Sequence, residues 1–289
     1  MKSKLSYIYV IVAALLWGCM GILVRTMNGG GFSSAEVVTV RAGITSIIMV
    51  IGMLIFNRKE LLIRLKDIWC FVGTGIFSVV FFNICYFSCM NYCSLSVAAI
   101  LLYTAPAFVM VMSFFLFKER FTTKKVLALI CSFVGCVLVS GGFGGGSIGV
   151  MGLLTGLGAG FGYALYSIFG RYALQRGYSS FTITTYTFLF AAAGCLPLTG
   201  VQHIGECFKA DPWLLAFAIL LTFLTTVAAY LLYTKGLAGM ESGKASVLAT
   251  VEPVMASMVG FVLFEEDFTM AAVLGIGMVL VSSILMVKE

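Results

Sequence analysis

One long stretch of the chain occurs twice, at a constant spacing of 147 residues. Residues 98–139 and 245–286 each hold an apolar segment with a Pro, a short polar corner and a second apolar segment. The matched pairs are Ala98 with Ala245, Pro106 with Pro253, Phe117 with Phe264, Glu119 with Glu266, Phe121 with Phe268, and Thr122 with Thr269. A recurring pattern of this kind marks a repeated structural unit. The chain is therefore predicted to consist of two copies of one unit, each about half its length.

The segments between the polar corners are long and apolar. Hydrophobic residues make up 61% of the chain and charged residues 10%, whereas a soluble domain carries about 25% charged residues. A helix needs about 20 mostly apolar residues to cross a bilayer. Ten runs meet that requirement: 5–24, 36–56, 68–90, 96–117, 125–142, 149–172, 180–199, 213–234, 245–264 and 270–287. The first run lacks a small-residue cleavage site after it, so we interpret it as a retained span and not a signal peptide.

The distribution of Lys and Arg predicts the orientation of these spans. With the N-terminus inside the cell, fifteen Lys and Arg fall in inside segments and two, Arg25 and Lys209, in outside segments. This is the asymmetry of the positive-inside rule, so the net charge of +6 indicates topology and not nucleic-acid binding. Both termini are predicted to be cytoplasmic.

An odd number of spans in each copy inverts the second copy relative to the first. The repeated corner agrees with this, because Lys118 and Arg120 in the first copy are replaced by Glu265 and Asp267 in the second. The predicted fold is thus an all-α integral membrane protein with ten transmembrane helices in two inverted five-helix repeats. The repeats are residues 1–142 and 149–289.

Several motifs together resemble one known family. They are Tyr103-Thr-Ala-Pro106 with Phe117-Lys-Glu-Arg-Phe121-Thr122, Val251-Glu-Pro-Val254 with Phe264-Glu-Glu-Asp-Phe268-Thr269, the opening Leu16-Trp17-Gly18, and Arg41. With them the chain resembles the EamA-type branch of the drug/metabolite transporter superfamily over nearly its whole length. The resemblance implies a secondary transporter similar to exporters of amino acids and other small metabolites. It also implies that the first, third, fourth, sixth, eighth and ninth spans line a central cavity.

Pro106 and Pro253 each lie about halfway along a predicted span. A Pro removes one backbone hydrogen bond and leaves the carbonyl four residues earlier without its partner. Inverted-repeat transporters bind their substrates where helices are broken near the bilayer midplane. We therefore expect helix breaks at the site, with a simple packing kink as the alternative.

Two charged residues lie inside predicted spans. At the equivalent position of each, the other copy of the repeat has a neutral residue. Glu252 pairs with Ala105 and Arg41 with Thr187. A charge deep in the membrane faces protein or water. Glu252 is predicted to face the central cavity, where it binds a substrate amine or takes up a proton; the alternative is a structural partner of a Ser or Tyr. Arg41 is interpreted as a structural charge, tied to Glu36 or to backbone.

A group of aromatic side chains with polar tips is the remaining candidate for substrate binding. Each lies deep in a span, where its polar tip needs a partner. The group consists of Trp17, Tyr86, Tyr103, Tyr163 and Tyr230, with Asn83 one helical turn before Tyr86. They are expected to form a cage of mixed polarity around a solute of amino-acid size.

Nine Cys and a single His indicate neither a disulfide framework nor a zinc site. Cys85, Cys89 and Cys93 share one helical stripe, which we interpret as packing, with soft-metal transport as the alternative. The small residues of 152–162 and of Gly275-x-Gly277 are interpreted as helix-packing positions.

The expected function is export of amino acids or similar small metabolites by alternating access, with proton coupling as a hypothesis. A channel-like facilitator of a small solute is the closer alternative, and a membrane enzyme the more distant one, since His203 stands alone in an outer loop. The expected partners are a small-molecule substrate and the lipid bilayer, without nucleic acid, metal or cofactor; a homodimer is left open. The expected location is the cell membrane of a bacterium.

Overall fold

The computed structural model describes residues 2–141, 149–265 and 269–289, with side chains from Lys4 onward. In these ranges the regular elements are helices, and no strand occurs. The α-helices are α1 (Lys2–Gly18), α2 (Met20–Gly29), α3 (Ser34–Phe56), α4 (Ile68–Val72), α5 (Phe81–Met90), α6 (Leu95–Leu102), α7 (Ala105–Phe117), α8 (Thr123–Val139), α9 (Val150–Gln175), α10 (Ser180–Cys195), α11 (Val201–Ala210), α12 (Pro212–Thr222), α13 (Ala229–Leu237), α14 (Ser242–Ala249), α15 (Glu252–Phe264) and α16 (Met270–Val287). Short 3₁₀ turns cover Arg58–Leu61, Leu65–Asp67 and Leu196–Leu198.

Nine helical stretches in the described ranges are long and apolar enough to cross a membrane. They are Lys4–Gly29, Ser34–Phe56, Leu65–Met90, Leu95–Phe117, Val150–Gln175, Ser180–Leu198, Pro212–Leu237, Ser242–Phe264 and Met270–Val287. A lipid environment leaves no water for backbone groups, so these apolar runs must form helices that satisfy their own hydrogen bonds. The remaining predicted run, 125–142, corresponds to α8, which has 17 residues; residue 142 lies outside the described residues. The chain is a multi-pass helical membrane protein.

Both stretches that carry the repeated Pro are broken into two helices. In the first, α6 ends at Leu102 and α7 begins at Ala105; in the second, α14 ends at Ala249 and α15 begins at Glu252. Pro106 and Pro253 lie in the first turn of the new helix, where a missing N–H is tolerated. The predicted helix breaks are therefore present at both Pro.

The polar corner after each broken helix has the same backbone. Lys118 and Glu265 end α7 and α15 in the left-handed conformation, with φ of 57° and 54°. Thr122 and Thr269 then cap the next helices, each accepting a bond from a backbone N–H three residues on. A Thr at this position satisfies a backbone N–H at the start of the helix that the helix itself leaves unpaired. Glu266, Asp267 and Phe268 lie outside the described residues, so the charge of the second corner is known from sequence alone.

Small residues let pairs of helices approach closely. A side chain on Gly135 or Gly275 would collide with the backbone of the facing helix, so α8 and α16 meet at these two positions. In contrast, Gly277 faces open space. Along α9, Gly156 and Gly160 leave room for Leu101 and Thr104 at the end of α6. Small residues thus serve as contact points between helices, as predicted for Gly275 and for 152–162 but not for Gly277.

Cys85 and Cys89 lie on α5 and pack against α9, whereas Cys93 lies beyond the end of α5 at Met90 and so is not on the predicted stripe. The Cys89 thiol lies 3.4 Å from the Gly152 carbonyl and 3.1 Å from the Cys93 sulfur. Cys85 lies against Gly158. These contacts favour the packing interpretation, in which thiols fill the space beside the glycines of α9.

Two spans contain π-helical segments that the sequence did not indicate. The first is Gly73–Val80, between α4 and α5, and the second is Phe223–Ala228, between α12 and α13. A π-turn widens the helix locally and is frequent at functional sites. Thr74 in the first segment and Thr226 in the second each hydrogen-bond a side chain of another helix.

Candidate functional site

An aromatic cluster surrounds Trp17 on α1. The Trp17 ring centroid lies 6.2 Å from that of Tyr163, 5.2 Å from Tyr230 and 5.0 Å from Tyr233. Tyr166 packs edge-on against Tyr230 at 5.0 Å. Three predicted residues, Trp17, Tyr163 and Tyr230, are thus brought together from helices α1, α9 and α13.

Hydroxyl pairs hold this cluster in place. The Tyr166 hydroxyl lies 2.7 Å from the Thr234 hydroxyl, and the Ser167 hydroxyl lies 2.7 Å from the Tyr233 hydroxyl. All four groups are buried and connect α9 to α13. Because a polar group in an apolar interior is costly when unpaired, these pairs fix the orientation of the tyrosine rings.

A small cavity opens inside the cluster. The residues that line it include Trp17, Ser78, Phe82, Tyr163, Tyr230 and Tyr233. Its volume is about 10 Å³. That is room for about one water molecule. The indole N–H of Trp17 is buried and has no hydrogen-bond partner among the described groups. A residue that lines the cavity thus carries a donor that no described group uses.

Glu252 lies at the edge of the cluster, as the first residue of α15. Its carboxylate accepts a hydrogen bond of 3.0 Å from the Tyr163 hydroxyl. The N-terminus of a helix carries partial positive charge, so a carboxylate is favoured there. Glu252 thus contacts the aromatic cluster through Tyr163, whose ring packs against Trp17.

A second, larger cavity of about 420 Å³ adjoins the two helix breaks. Tyr103, at the end of α6, and Pro253, at the start of α15, both line it. From there it reaches Arg25, whose guanidinium lies 4.2 Å from the Phe264 ring centroid. Tyr103 packs against a separate buried cluster that includes Val251 and Val254, which lie beside Glu252 in the sequence.

The remaining predicted residues lie farther from this centre. Tyr86 touches the cluster through Phe82, whose ring centroid is 5.8 Å from that of Tyr86 and 5.6 Å from that of Tyr163. Asn83 donates to the Val79 carbonyl at 2.7 Å and lines a different recess, beside Thr39, Cys195 and Thr199. None of the described contacts joins Asn83 to Tyr86.

Arg41 does connect two helices, but its partner differs from the predicted one. Its Nε donates to the Thr226 hydroxyl at 3.2 Å. Glu36 instead accepts bonds from Ser33 and lies 2.9 Å from the His203 ring. The capping box formed by Ser33 and Glu36 occupies the carboxylate that we expected Arg41 to use.

Sequence reasoning missed Tyr166 and Tyr233. Each follows a predicted tyrosine by three residues, Tyr163 and Tyr230 respectively, and residues three apart share a helix face. That spacing could have identified them. Nothing comparable signals the two π-helical segments, because their residues are as apolar as the helices around them.

Helices of all six spans that the resemblance assigns to a central cavity contribute to the two cavities. In the numbering of the ten predicted runs, the first, third, sixth and eighth line the small cavity, and the first, fourth and ninth line the large one. The ends of α8 and α16 also border the large cavity.

Comparison with known proteins gives the family. The model of the EamA-like transporter family matches the chain twice, at residues 4–141 and 150–288. A protein of Archaeoglobus fulgidus named as an uncharacterized transporter is 25% identical over 286 residues, which cover 98% of this chain and 99% of the relative. The uncharacterized transporter YwfM of Bacillus subtilis is 23% identical over 281 residues, which cover 97% of this chain and 93% of the relative.

A solved crystal structure shares the fold. It matches with a TM-score of 0.78 at 17% identity, over 97% of this chain and 95% of the other. The family match extends over both halves and nearly every residue. This chain therefore belongs to the EamA-like transporter family.

Proposed function

We propose that this transporter is a secondary carrier that exports amino acids or similar small metabolites by alternating access. The observation that carries the proposal is the position of Glu252. It combines a mid-span carboxylate, a helix break and an aromatic cluster. Its partner Tyr163 lines the small cavity, and the next residue, Pro253, lines the large one. Sites near the membrane midplane at broken helices are where inverted-repeat transporters bind their substrates.

The proposed architecture is ten spans in two inverted repeats, residues 1–142 and 149–289, with α8 as the fifth span. Equal lengths support it, because α6 and α14 each have 8 residues and α7 and α15 each have 13. The two matches of the family model have nearly the same boundaries. Both termini are placed in the cytoplasm of a bacterial cell on the strength of the Lys and Arg distribution.

In the proposed site the carboxylate of Glu252 binds the substrate ammonium group. Tyr163 donates its hydroxyl to Glu252, and Trp17, Tyr103 and Tyr230 contact the rest of the solute. The Trp17 N–H is free to donate to a substrate oxygen. Asn83 and Tyr86 belong to the outer part of the site, and Arg41 serves as a structural charge.

Pro106 and Pro253 maintain the two helix breaks at the level of the proposed site. Their breaks leave the carbonyl ends of α6 and α14 facing the N-terminal ends of α7 and α15 within each span. Backbone carbonyls attract a cation and helix N-termini attract an anion. Two such breaks suit a zwitterionic solute that carries both charges.

Proton coupling follows from competition for one carboxylate. Glu252 cannot bind an ammonium group and a proton at the same oxygen at once. If each enters from the opposite side of the membrane, the exchange of one for the other drives export. This coupling mechanism requires no hydrogen-bonding groups other than those already beside Glu252.

A counterflow experiment with purified protein in liposomes tests the proposal. When the liposomes are loaded with unlabelled solute, a carrier takes up labelled solute faster. Each unlabelled molecule that it carries out brings the binding site back to the outer side. The panel should compare amino acids, amines and nucleosides. Uptake that does not depend on internal solute would contradict the carrier proposal and indicate a channel-like facilitator.

A further inference from the structure

A groove on the membrane-facing surface lies apart from the proposed transport site. It has a volume of about 500 Å³ and runs between the end of α3, the start of α10 and the second π-helical segment with α13. Its walls are apolar and include Met49, Gly52, Phe56, Phe181, Phe223 and Leu231. At one end it reaches Asn57 and Glu60, where α3 leaves the membrane.

The length of the groove matches one leaflet. Along α3 it extends from Ile48 to Asn57, which is about 13 Å at 1.5 Å per residue. The hydrocarbon core of a bilayer is about 30 Å thick, so the groove covers nearly half of it. A lipid acyl chain of the adjacent leaflet has the shape and polarity to fill such a groove.

A polar recess of about 300 Å³ adjoins the groove at Glu60. Lys59, Arg64 and Arg176 line this basic recess, together with Tyr178, Ser179 and Thr182. It lies just beyond the end of α3, at the level of lipid headgroups. Lys59 and Arg64 are both exposed.

The acidic groups of the recess are already bound within the protein. Glu60 accepts hydrogen bonds from the Asn57 amide and the Ser179 hydroxyl. Asp67 accepts from Arg176 at 3.0 Å and from the Tyr178 hydroxyl at 2.9 Å. None of the described bonds gives the Lys59 or Arg64 side chain an acidic partner. The recess therefore keeps two cationic side chains available to an outside anion.

We propose that the groove and the basic recess form a binding site for one anionic phospholipid. The acyl chain occupies the groove and the phosphate lies beside Lys59 and Arg64. Charge complementarity selects this occupant, since an apolar groove alone would accept any lipid. The positive-inside rule places the recess at the cytoplasmic leaflet, where anionic lipids attract basic side chains near a span.

The test titrates delipidated protein with phosphatidylglycerol or phosphatidylcholine of the same acyl chains and counts bound lipids by native mass spectrometry. We expect one phosphatidylglycerol to be retained more tightly than phosphatidylcholine. The double variant Lys59→Gln/Arg64→Gln should bind phosphatidylglycerol roughly 10- to 30-fold more weakly, because each basic residue near the surface attracts anionic lipid. Lys4→Gln/Lys288→Gln removes two charges elsewhere and should leave binding unchanged.

A second pair of variants tests the groove itself. Gly52 lines the groove and a Cβ added there would meet nothing within 4 Å, so Gly52→Leu places an apolar side chain in the groove. It should weaken retention of both lipids, whereas Gly277→Leu, on an open face of α16, should not. Equal binding of the two lipids by the wild type, or unchanged binding in the double-charge variant, overturns the proposal. So does equal loss in Gly52→Leu and Gly277→Leu.

Discussion

Glu252 shows at the scale of one residue how a charge is accommodated in a span. Placing a charged side chain at the middle of a transmembrane helix costs about 2.5–3.5 kcal/mol on insertion scales. The Tyr163 hydroxyl and the N-terminus of α15 both favour the carboxylate. Arg41, the other charge inside a span, is held separately by the Thr226 hydroxyl. Each charge is therefore accommodated by a polar side chain of another helix.

A charge-removing substitution tests the role of this carboxylate. Glu252→Gln keeps the size of the side chain but cannot bind a proton or an ammonium group ionically. We expect the variant to retain exchange of substrate, at reduced affinity, and to lose its response to an imposed pH gradient. Transport in proteoliposomes with and without the gradient measures both.

Tyr163→Phe is the matched control for Glu252→Gln. It removes the hydroxyl that donates to Glu252 but keeps the ring and the carboxylate. Its response to the pH gradient should persist. If Glu252→Gln transports with an unchanged pH response, the carboxylate is a structural partner of Tyr163 and not the coupling group.

Helices α8 and α16 show how one element depends on another. α8 is short for a span, and its contact with α16 is built on two glycines. The ideal Cβ of a residue at position 275 would lie 2.6 Å from the Gly135 carbonyl oxygen. Close approach of backbones gives dispersion contacts that side chains would prevent.

Substitutions at two nearby glycines on α16 distinguish the effect of helix packing on stability from the effect of helix propensity. Gly275→Ala should destabilise the protein by about 1–3 kcal/mol, because the added methyl group forces α8 and α16 apart. Gly277→Ala should be neutral or slightly stabilising, since it meets nothing within 4 Å and alanine is the better helix former. Unfolding in detergent measures both, and equal effects would contradict the packing role of Gly275.

At the scale of the whole molecule, the two ends of the helix bundle differ. At one end, polar groups join the halves: Glu119 accepts from the backbone N–H of Ser242 and Gly243, and Lys125 pairs with Glu241. The large cavity lies toward the other end, where it reaches residues such as Gly141. In the proposed topology the joined end is cytoplasmic and the cavity opens outward. Alternating access then requires the Glu119 contacts to break.

The proposed topology makes a direct prediction about accessibility. Lys66 and Lys209 are both exposed but lie on opposite sides of the membrane in the proposed arrangement. In intact cells an impermeant thiol reagent should label Lys209→Cys and not Lys66→Cys, beyond the labelling of the parent protein. Permeabilised cells provide the control, since both positions should then react. The reverse pattern would overturn the orientation.

The helices and the two breaks could be predicted from the sequence, and the helix caps follow from it as well, because each depends on residues close in the chain. Pro106 and Pro253 interrupt the hydrogen bonding of the preceding helix, so that each lies in the first turn of a new helix, and Thr122 caps the helix that follows it. The sequence also placed Trp17 and Glu252 on lining helices, through the resemblance of the repeats to a known family.

Which side chains meet across helices could not be predicted from the sequence and follows from the packing of the folded chain. The partner of Arg41 is Thr226, 185 positions away, and Asn83 turns to a recess beside Cys195 although it shares a helix with Tyr86. The π-helical segments likewise depend on neighbouring helices, because their own residues favour an ordinary helix equally well. Contacts between distant residues are set by how helices rotate and pack, and a pattern within one helix does not contain that information.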